Sequence, residues 1–254
     1  LPSSKDAMDP ASIMGPSDVA FMGNNLYVLL AGAGCSHGVA SVPNGIFRIN
    51  SNGSKTLIAD LGGWLVAHPG ANPGEDFEPE GVWYSMLAMG NKFYALEPNQ
   101  GILAEVSLNG NISKVSDIAA SEGHIVPTAL AHHGNFYVSN LDVFPITGKS
   151  GIYKVNPSGN VKKVASGFSA VLGLVIDQQK RMYVLEMAQG VMYPTPFTGR
   201  IIRVDPNGTQ TVIASGLALP TAMTMGPDGN LYVSNWGLGK PPGGGEVVKV
   251  TLGN

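Results

Sequence analysis

The chain has 254 residues, of which 44% are hydrophobic and only 13% are charged, and its formal net charge is −3. The 15 basic residues form no run that could neutralise a row of phosphates, which argues against a nucleic-acid partner. No apolar stretch approaches the roughly 20 residues that a membrane-spanning helix needs, and the single cysteine, Cys35, excludes an internal disulfide and a cysteine metal cluster.

A short segment centred on a tyrosine recurs five times, for example as Asn-Leu-Tyr-Val at residues 25–28 and again at 230–233. The tyrosines at positions 27, 94, 137, 183 and 232 are separated by 67, 43, 46 and 49 residues. Another short apolar segment, predicted to be a strand, precedes each one, for example residues 81–88 before Tyr94. After each of the first four tyrosine segments, apolar and polar residues alternate on both sides of an Asn-Gly or Ser-Gly pair. This alternation is the pattern of a β-hairpin.

This repeat predicts four antiparallel strands in every 43 to 49 residues, which is typical of a β-propeller blade. A doubly wound α/β fold would need long helical patterns between its strands, and the sequence has none. We therefore predict an all-β propeller forming one domain over residues 1–254, with residues 62–79 as a long loop. The five visible blades are predicted at residues 15–61, 78–118, 126–168, 169–217 and 218–252.

The fifth blade ends at residues 246–252 without an outermost strand. In a closed propeller the N-terminus usually supplies this strand, which removes an exposed sheet edge. Residues 1–14 offer only Ile13-Met14 as an apolar patch and suit that role poorly. Either the ring closes with five blades, or an N-terminal blade is missing from the chain or supplied by another chain. We favour a six-bladed parent.

Several blade segments resemble one group of secreted propellers. They read Val-Pro-Thr-Ala-Leu at residues 126–130, Leu-Pro-Thr-Ala-Met at 219–223 and Pro-Asp-Gly-Asn-Leu-Tyr-Val-Ser-Asn at 227–235. Over residues 15–252 the chain resembles the ScyD/ScyE family, which is related to the NHL-repeat propellers. The resemblance implies an extracellular protein. It implies no reaction, because the members have no established one.

Polar residues near the predicted strand ends are candidates for a metal site on the propeller axis. Carboxylate and amide oxygens suit calcium or magnesium. The segment Glu-Gly-Val-Trp at residues 80–83 is similar to the opening motif of gluconolactonases and the related senescence-marker proteins, which hold a divalent ion. The competing interpretation is that these side chains cap strand ends and bind loop N–H groups. The candidate ligands are Asp18, Glu80, Asn140, Glu186 and Asn235.

A second set of candidates lies in or near the loops between strands, where binding residues concentrate on a rigid scaffold. Aromatic rings there could stack on a sugar or on a flat aromatic ligand. The alternative is that they pack one blade against the next. The candidates for ligand-binding loops are Trp64, Trp83, Glu97 and Trp236. Further aromatics in or near loops are Phe77, Tyr84, Tyr193 and Phe197.

Asn52, Asn111 and Asn207 each begin an Asn-x-Ser/Thr triplet beside a turn, so a eukaryotic cell could glycosylate them. Asn-Gly turns followed by Ser or Thr also arise for hairpin reasons alone. The function that we predict is an extracellular module that binds a small ligand, a glycan or a protein, copies of itself included. The alternative is a metal-dependent hydrolase or lactonase. No catalytic residue is identified, since the sequence has no Gly-x-Ser-x-Gly motif.

Overall fold

Successive strands pair with one another, so the chain runs up and down within one sheet before it begins the next. The computed structural model describes residues 1–5, 13–72, 74–146, 148–190, 194–241 and 243–253. In these residues four sheets have four antiparallel strands, a fifth has three, and one small sheet pairs two short strands. Up-and-down sheets of this kind are the blades of a β-propeller. The predicted fold class, an all-β propeller, is confirmed.

The strands have the following bounds, numbered along the chain. They are β1 Ser4–Lys5, β2 Ile13–Met14, β3 Pro16–Met22, β4 Asn25–Leu30, β5 Gly45–Ile49, β6 Lys55–Asp60, β7 Ser85–Met89, β8 Lys92–Glu97, β9 Ile102–Ser107, β10 Ile112–Asp117, β11 Pro127–His132, β12 Phe136–Asn140, β13 Ser150–Val155, β14 Val161–Phe168, β15 Val171–Ile176, β16 Met182–Glu186, β17 Gly199–Val204, β18 Gln210–Leu217, β19 Ala222–Met225, β20 Leu231–Asn235 and β21 Glu246–Val250.

The large sheets are β3–β6, β7–β10, β11–β14, β15–β18 and β19–β21, and each lies inside one of the predicted blade ranges. The tyrosine segments are the second strands of their sheets. The last sheet has three strands among the described residues, as the sequence pattern indicated. The short strands β1 and β2 pair with each other, with Ser4 opposite Met14 and Lys5 opposite Ile13.

The turns between the third and fourth strands contain the Asn-Gly and Ser-Gly pairs. At the first of them, the Asn50 N–H donates to the Ser54 carbonyl at 2.8 Å. Gly53 has a φ of 80°, in the left-handed region that glycine adopts without strain. These residues therefore turn the chain tightly enough for β5 and β6 to pair directly, with Ile49 opposite Lys55.

Two short α-helices and one turn of 3₁₀-helix interrupt the described strands, and the first α-helix corrects the prediction of a plain loop at residues 62–79. The helices are α1, Leu61–Ala67, and α2, Ile118–Glu122. The carboxylate of Asp60 caps α1 by accepting the Gly63 N–H at 2.7 Å, and Asp117 caps α2 through Ala120. No helix in the described part of the chain is long and apolar enough to cross a membrane.

A second correction concerns the strand expected at residues 81–88, which begins only at Ser85. Gly81 has a φ of 67°, so the backbone there is not extended. The N–H of Val82 then donates to the Glu97 side chain at 2.8 Å instead of to a neighbouring strand. The carboxylate of Glu97 thus takes the place of a strand partner at this end of the sheet.

The chain divides into two compact units, Leu1–Pro127 with Pro157–Val161, and Thr128–Asn156 with Lys162–Asn254. The core of the first unit gathers buried side chains such as Tyr27, Trp83 and Phe93. Among the described residues of the second unit, one cluster lies around Phe168 and Val184 and another around Tyr183, Leu231 and Val233. The expectation of one domain over the whole chain stays a prediction.

Candidate functional site

The residue that ends the second strand is a buried polar side chain in four of the sheets. Each of these side chains accepts a hydrogen bond from a backbone N–H of a neighbouring loop or strand start, which satisfies a donor that would otherwise be costly to bury. We call these side chains the strand-end anchors. The distances are 2.8 Å from Val82 N to Glu97 Oε1, 2.7 Å from Gly151 N to Asn140 Oδ1, 2.8 Å from Ser169 N to Glu186 Oε1 and 2.7 Å from Ala218 N to Asn235 Oδ1.

In the first sheet Asn44 makes the corresponding hydrogen bonds to the backbone. Its Oδ1 accepts the Ala33 N–H at 2.8 Å, and its Nδ2 donates to the Gly81 carbonyl at 2.9 Å. Sequence reasoning missed Asn44, because this residue precedes β5 and does not follow a tyrosine strand. The only available signal was its place immediately before a predicted strand.

Glu97 is the most heavily engaged strand-end anchor. It is fully buried, and in addition to Val82 it accepts the N–H groups of Asn99 at 2.9 Å and Gln100 at 2.6 Å. Burial raises the pKa of Glu97 to about 7, although the three N–H donors oppose that change, and the nearby charge of Glu78 raises the pKa further. Glu97 therefore exchanges a proton near neutral pH.

The residues after Glu97 fasten the long loop that follows α1. Asn99 accepts the Glu78 N–H at 2.8 Å and donates to the Asp76 carbonyl at 2.6 Å. Gln100 accepts the Gly70 N–H at 2.9 Å and donates to the Glu78 carbonyl, also at 2.9 Å. The loop is thus held along its length by side chains from the end of β8.

Glu80, at the end of that loop, contacts the turn around residue 36. Its Oε2 accepts the Ser36 N–H at 2.8 Å and the Ser36 hydroxyl at 2.7 Å. Burial raises the pKa of Glu80, but these bonds, the Cys35 N–H and the charge of His37 outweigh it and hold the pKa below its ordinary value. A Cβ on Gly34 would lie 2.6 Å from Oε2, so only glycine leaves room for this carboxylate.

Asp18 lies on β3 and bonds to the next sheet. Its Oδ2 accepts the Met86 N–H at 2.7 Å, and its Oδ1 accepts the Val19 N–H at the same distance. Burial raises the pKa of Asp18 to about 6, against the effect of these two bonds. Burial also raises the pKa of the neighbouring Tyr84 hydroxyl, and the charge of Asp18 adds to this. Asp18 therefore connects two sheets of the first unit.

The predicted calcium or magnesium ligands consequently have other partners. In the first unit Asp18 contacts Met86 and Glu80 contacts Ser36; in the second unit Asn140, Glu186 and Asn235 each hold a different backbone segment. Within the described ranges no three His, Cys, Asp or Glu side chains form a group that could hold a metal ion. The described contacts of these side chains are hydrogen bonds that anchor backbone groups, and the metal site stays a prediction.

The tryptophans predicted for binding loops have different surroundings. Trp83 is fully buried in the core of the first unit, so neither face of its ring is open to a ligand. Trp64 lies in α1, half-buried, and stacks on His68 with 4.8 Å between ring centroids. Trp236 follows β20 and is partly exposed. Tyr193 lies outside the described residues.

Trp236 belongs to a group that we call the aromatic cluster, made of Phe197, Trp236 and Lys240. The rings of Phe197 and Trp236 meet edge to face, with 5.4 Å between centroids and an interplanar angle of 88°. The Lys240 ammonium lies 4.6 Å from the centroid of the Trp236 ring. Phe197 is 65% exposed, which is a large exposure for an aromatic side chain held by a neighbouring ring.

The backbone under the aromatic cluster is fixed in an uncommon conformation. Phe197 and Trp236 have φ values of 64° and 55°, a region that residues with side chains seldom adopt. The Trp236 N–H donates to the Ala218 carbonyl at 2.7 Å, and the Thr198 hydroxyl donates to the Thr195 carbonyl at 2.6 Å. Strained residues that are held this firmly are typical of functional loops.

The three predicted glycosylation sites lie on exposed turns. Asn52, Asn111 and Asn207 are all exposed. The Asn52 Oδ1 accepts the Ser54 N–H at 3.0 Å, and the Asn207 Oδ1 accepts the Thr209 N–H at 3.0 Å. These turns satisfy the hairpin interpretation, and their exposure also leaves the asparagines open to modification.

No protein-family model and no curated protein sequence matches this chain. Several solved structures have a similar fold. The crystal structure of a nidogen/laminin complex matches with a TM-score of 0.60 and 16% identity, over 89% of this chain and 73% of that one. Regucalcin of Agrobacterium tumefaciens, a calcium-binding protein, matches with a TM-score of 0.56 and 13% identity, over 88% and 68%.

A luciferin-regenerating enzyme matches with a TM-score of 0.55 and 11% identity, over 87% of this chain and 69% of that one. Identities this low establish the propeller fold alone. Propellers carry unrelated functions, so the likeness does not decide between a binding module and an enzyme.

Proposed function

We propose that this propeller is a binding module whose ligand is a glycan, and that the aromatic cluster contacts the sugar ring. The observation that carries the proposal is the exposed Phe197 ring, supported edge-on by Trp236. The apolar C–H face of a sugar packs well on an aromatic ring, and hydroxyl or acidic groups at its rim suit an ammonium such as that of Lys240.

The fixed backbone strengthens this proposal. A loop that is already ordered loses little conformational freedom when a ligand binds, so more of the contact energy remains as affinity. Trp236 is bonded to Ala218, and Gly237 packs so closely on Thr221 that a Cβ there would lie 1.9 Å from its Oγ1. Pre-ordering of this kind favours a recognition surface over a loop that must rearrange.

The alternative, a metal-dependent hydrolase, would need a set of oxygen ligands and a reacting group. The strand-end anchors Asn140, Glu186 and Asn235 accept backbone N–H groups, so each already has a structural role in the described residues. Similarity of fold to regucalcin, which binds calcium, keeps the alternative worth testing with Ca²⁺ and Mg²⁺.

We further infer an extracellular location and membership of the ScyD/ScyE family, on the resemblance of residues 126–130 and 219–235 and on the exposure of Asn52, Asn111 and Asn207. A protein partner and self-association are the other binding modes that a propeller of this kind would support. Intact-mass measurement of the native protein, with peptide mapping of the three asparagines, tests the location.

A glycan array probed with the labelled protein tests the binding function. We expect a defined set of glycans to bind, Phe197→Ala to weaken that binding at least tenfold, and Phe77→Ala to leave it unchanged. Phe77 is a matched control because it is also an exposed aromatic, at 45%, in a loop of the first unit. Absence of any bound glycan, or equal binding by Phe197→Ala and the wild type, would contradict the proposal.

A further inference from the structure

A cavity of about 210 Å³ lies in the second unit, away from every residue discussed above as a ligand contact. Arg181, Tyr183, Arg203 and Ile213 line it from the β15–β18 sheet, and Thr251 and Leu252, which follow β21, line it from the next sheet. Typical pockets for drug-sized ligands are about 300 Å³ or more. This cavity therefore has room for a small ionic group.

Strand geometry brings both arginines to the cavity. Tyr183 and Arg203 are register partners on β16 and β17, so their side chains lie side by side on one face of the sheet. Arg181 precedes Tyr183 by two residues and shares that face because side chains alternate along a strand. The Arg181 guanidinium also lies over the Tyr183 ring, 5.9 Å from its centroid.

Two aspartates orient the guanidinium groups. Asp177 Oδ2 accepts the Arg181 Nε–H at 2.6 Å and the Tyr183 hydroxyl at 3.2 Å. Asp205 Oδ2 accepts from Arg203 Nη2 at 3.1 Å, and its Oδ1 lies 2.9 Å from Arg203 Nε. Each aspartate thus holds its arginine from the Nε side, which limits the rotamers available to the side chain.

Several N–H groups of the two arginines lie outside these contacts. A guanidinium has five N–H groups, and the described contacts involve the Nε atoms of both arginines and the Nη2 of Arg203. The two terminal amino groups of Arg181 and the Nη1 group of Arg203 take part in none of the contacts between described residues. The two side chains are 35% and 33% exposed, so a ligand can reach them.

We propose that this cavity binds a small oxyanion, either a tetrahedral phosphate or sulfate or a planar carboxylate. The planar fork of one guanidinium matches the spacing of two oxygen atoms on such a group, and two arginines line this cavity together with Thr251. The two aspartates balance the charge of the two arginines, so recognition depends on directed hydrogen bonds and the affinity is modest.

The test is an NMR titration of the ¹⁵N-labelled chain with sodium phosphate and, separately, sodium acetate, each against sodium chloride at equal ionic strength. We expect saturable shifts of the Arg181 and Arg203 Nε–H signals and of the Thr251 and Leu252 amides with at least one oxyanion and none with chloride. Phosphate alone would assign a tetrahedral ligand, and acetate alone a carboxylate. Shifts that chloride reproduces, or that neither oxyanion causes, would overturn the proposal.

Variants separate the site from general charge effects. Arg203→Gln is expected to weaken binding at least tenfold, and Arg203→Lys, which keeps the charge and so protects folding, to weaken it because the planar fork is lost. Lys249→Gln is the matched control: Lys249 pairs with Asp228 at 2.8 Å beside Tyr232, a similar trio that lines no part of this cavity. Equal loss in Lys249→Gln, or full binding by Arg203→Lys and Arg203→Gln, would also overturn it.

Discussion

Glu97 and Glu186 occupy the same place in two different sheets, since each ends the second strand and each is fully buried, but their partners differ. Glu97 binds three backbone N–H groups. Glu186 binds the Ser169 N–H and the guanidinium Nε of Arg200. The repeat decides where the carboxylate lies, and the loop and neighbouring strand decide how its burial is balanced.

The loops next to these two carboxylates also differ in their contacts and in what they expose to solvent. The loop over Glu97 is fastened by Asn99 and Gln100, and it exposes the Phe77 ring at 45%. The loop that follows Glu186 is tied at its base but presents Phe197 to solvent. Anchoring at the strand end is common to both regions, whereas the proposed glycan contact lies at the tip of the second loop. Variants at the strand end and at the loop tip separate these two roles.

Glu97→Ala is expected to have the largest effect on stability. It leaves three backbone N–H donors without their acceptor, and at about 1 kcal/mol or more for each buried donor the loss is about 3 kcal/mol. Urea denaturation of the variant and the wild type measures it. A loss below 1 kcal/mol would mean that Glu97 is not an anchor.

The pair of Glu186 and Arg200 is expected to show coupling in a double-mutant cycle of Glu186→Gln, Arg200→Gln and the double variant. Arg200 is partly exposed and can recover some hydration, so we expect a coupling energy of about 1 to 2 kcal/mol. The free energies of unfolding of the four proteins, measured by urea denaturation, give the coupling energy. Additive effects would show that Arg200 does not balance the buried carboxylate.

The raised pKa of Glu97 predicts a pH dependence. Between the ordinary value near pH 4.5 and about pH 7, the unfolded chain has released a proton that the folded chain keeps, so stability falls as the pH rises through this window. The slope from one group is at most about 1.4 kcal/mol per pH unit. Comparing wild type with Glu97→Gln isolates this contribution from that of Asp18. Parallel stability curves for the two proteins would contradict the assignment.

The sequence predicted the blades well because their signals are local. The tyrosine segments and the Asn-Gly pairs act over a few residues, and they correctly place the sheets. The positions of Asn140, Glu186 and Asn235 at strand ends were also predictable. Their partners were not, because Gly151, Ser169 and Ala218 are 11 to 17 residues away along the chain and meet them only in the folded sheet.

Other features depended on context that a single sequence lacks. Asp60 and Asp117 precede the two helices and are residues that commonly cap a helix. The first helix contains two glycines, which have a low helix propensity, so the sequence pattern did not indicate a helix there. Trp83 reads as a loop residue, and only the packed core shows that it is buried. Phe197 has a left-handed backbone conformation, which the sequence does not mark with a glycine.

The most direct test of the proposed glycan-binding role is a fluorescence titration of Trp64→Phe with the strongest glycan from the array. In this variant Trp83, which is fully buried, gives a constant signal and Trp236 reports on the aromatic cluster. The account predicts a saturable change in fluorescence that disappears when Trp236 is also replaced by Phe. A change that persists without Trp236, or a bound glycan that leaves the fluorescence unaltered, would contradict it.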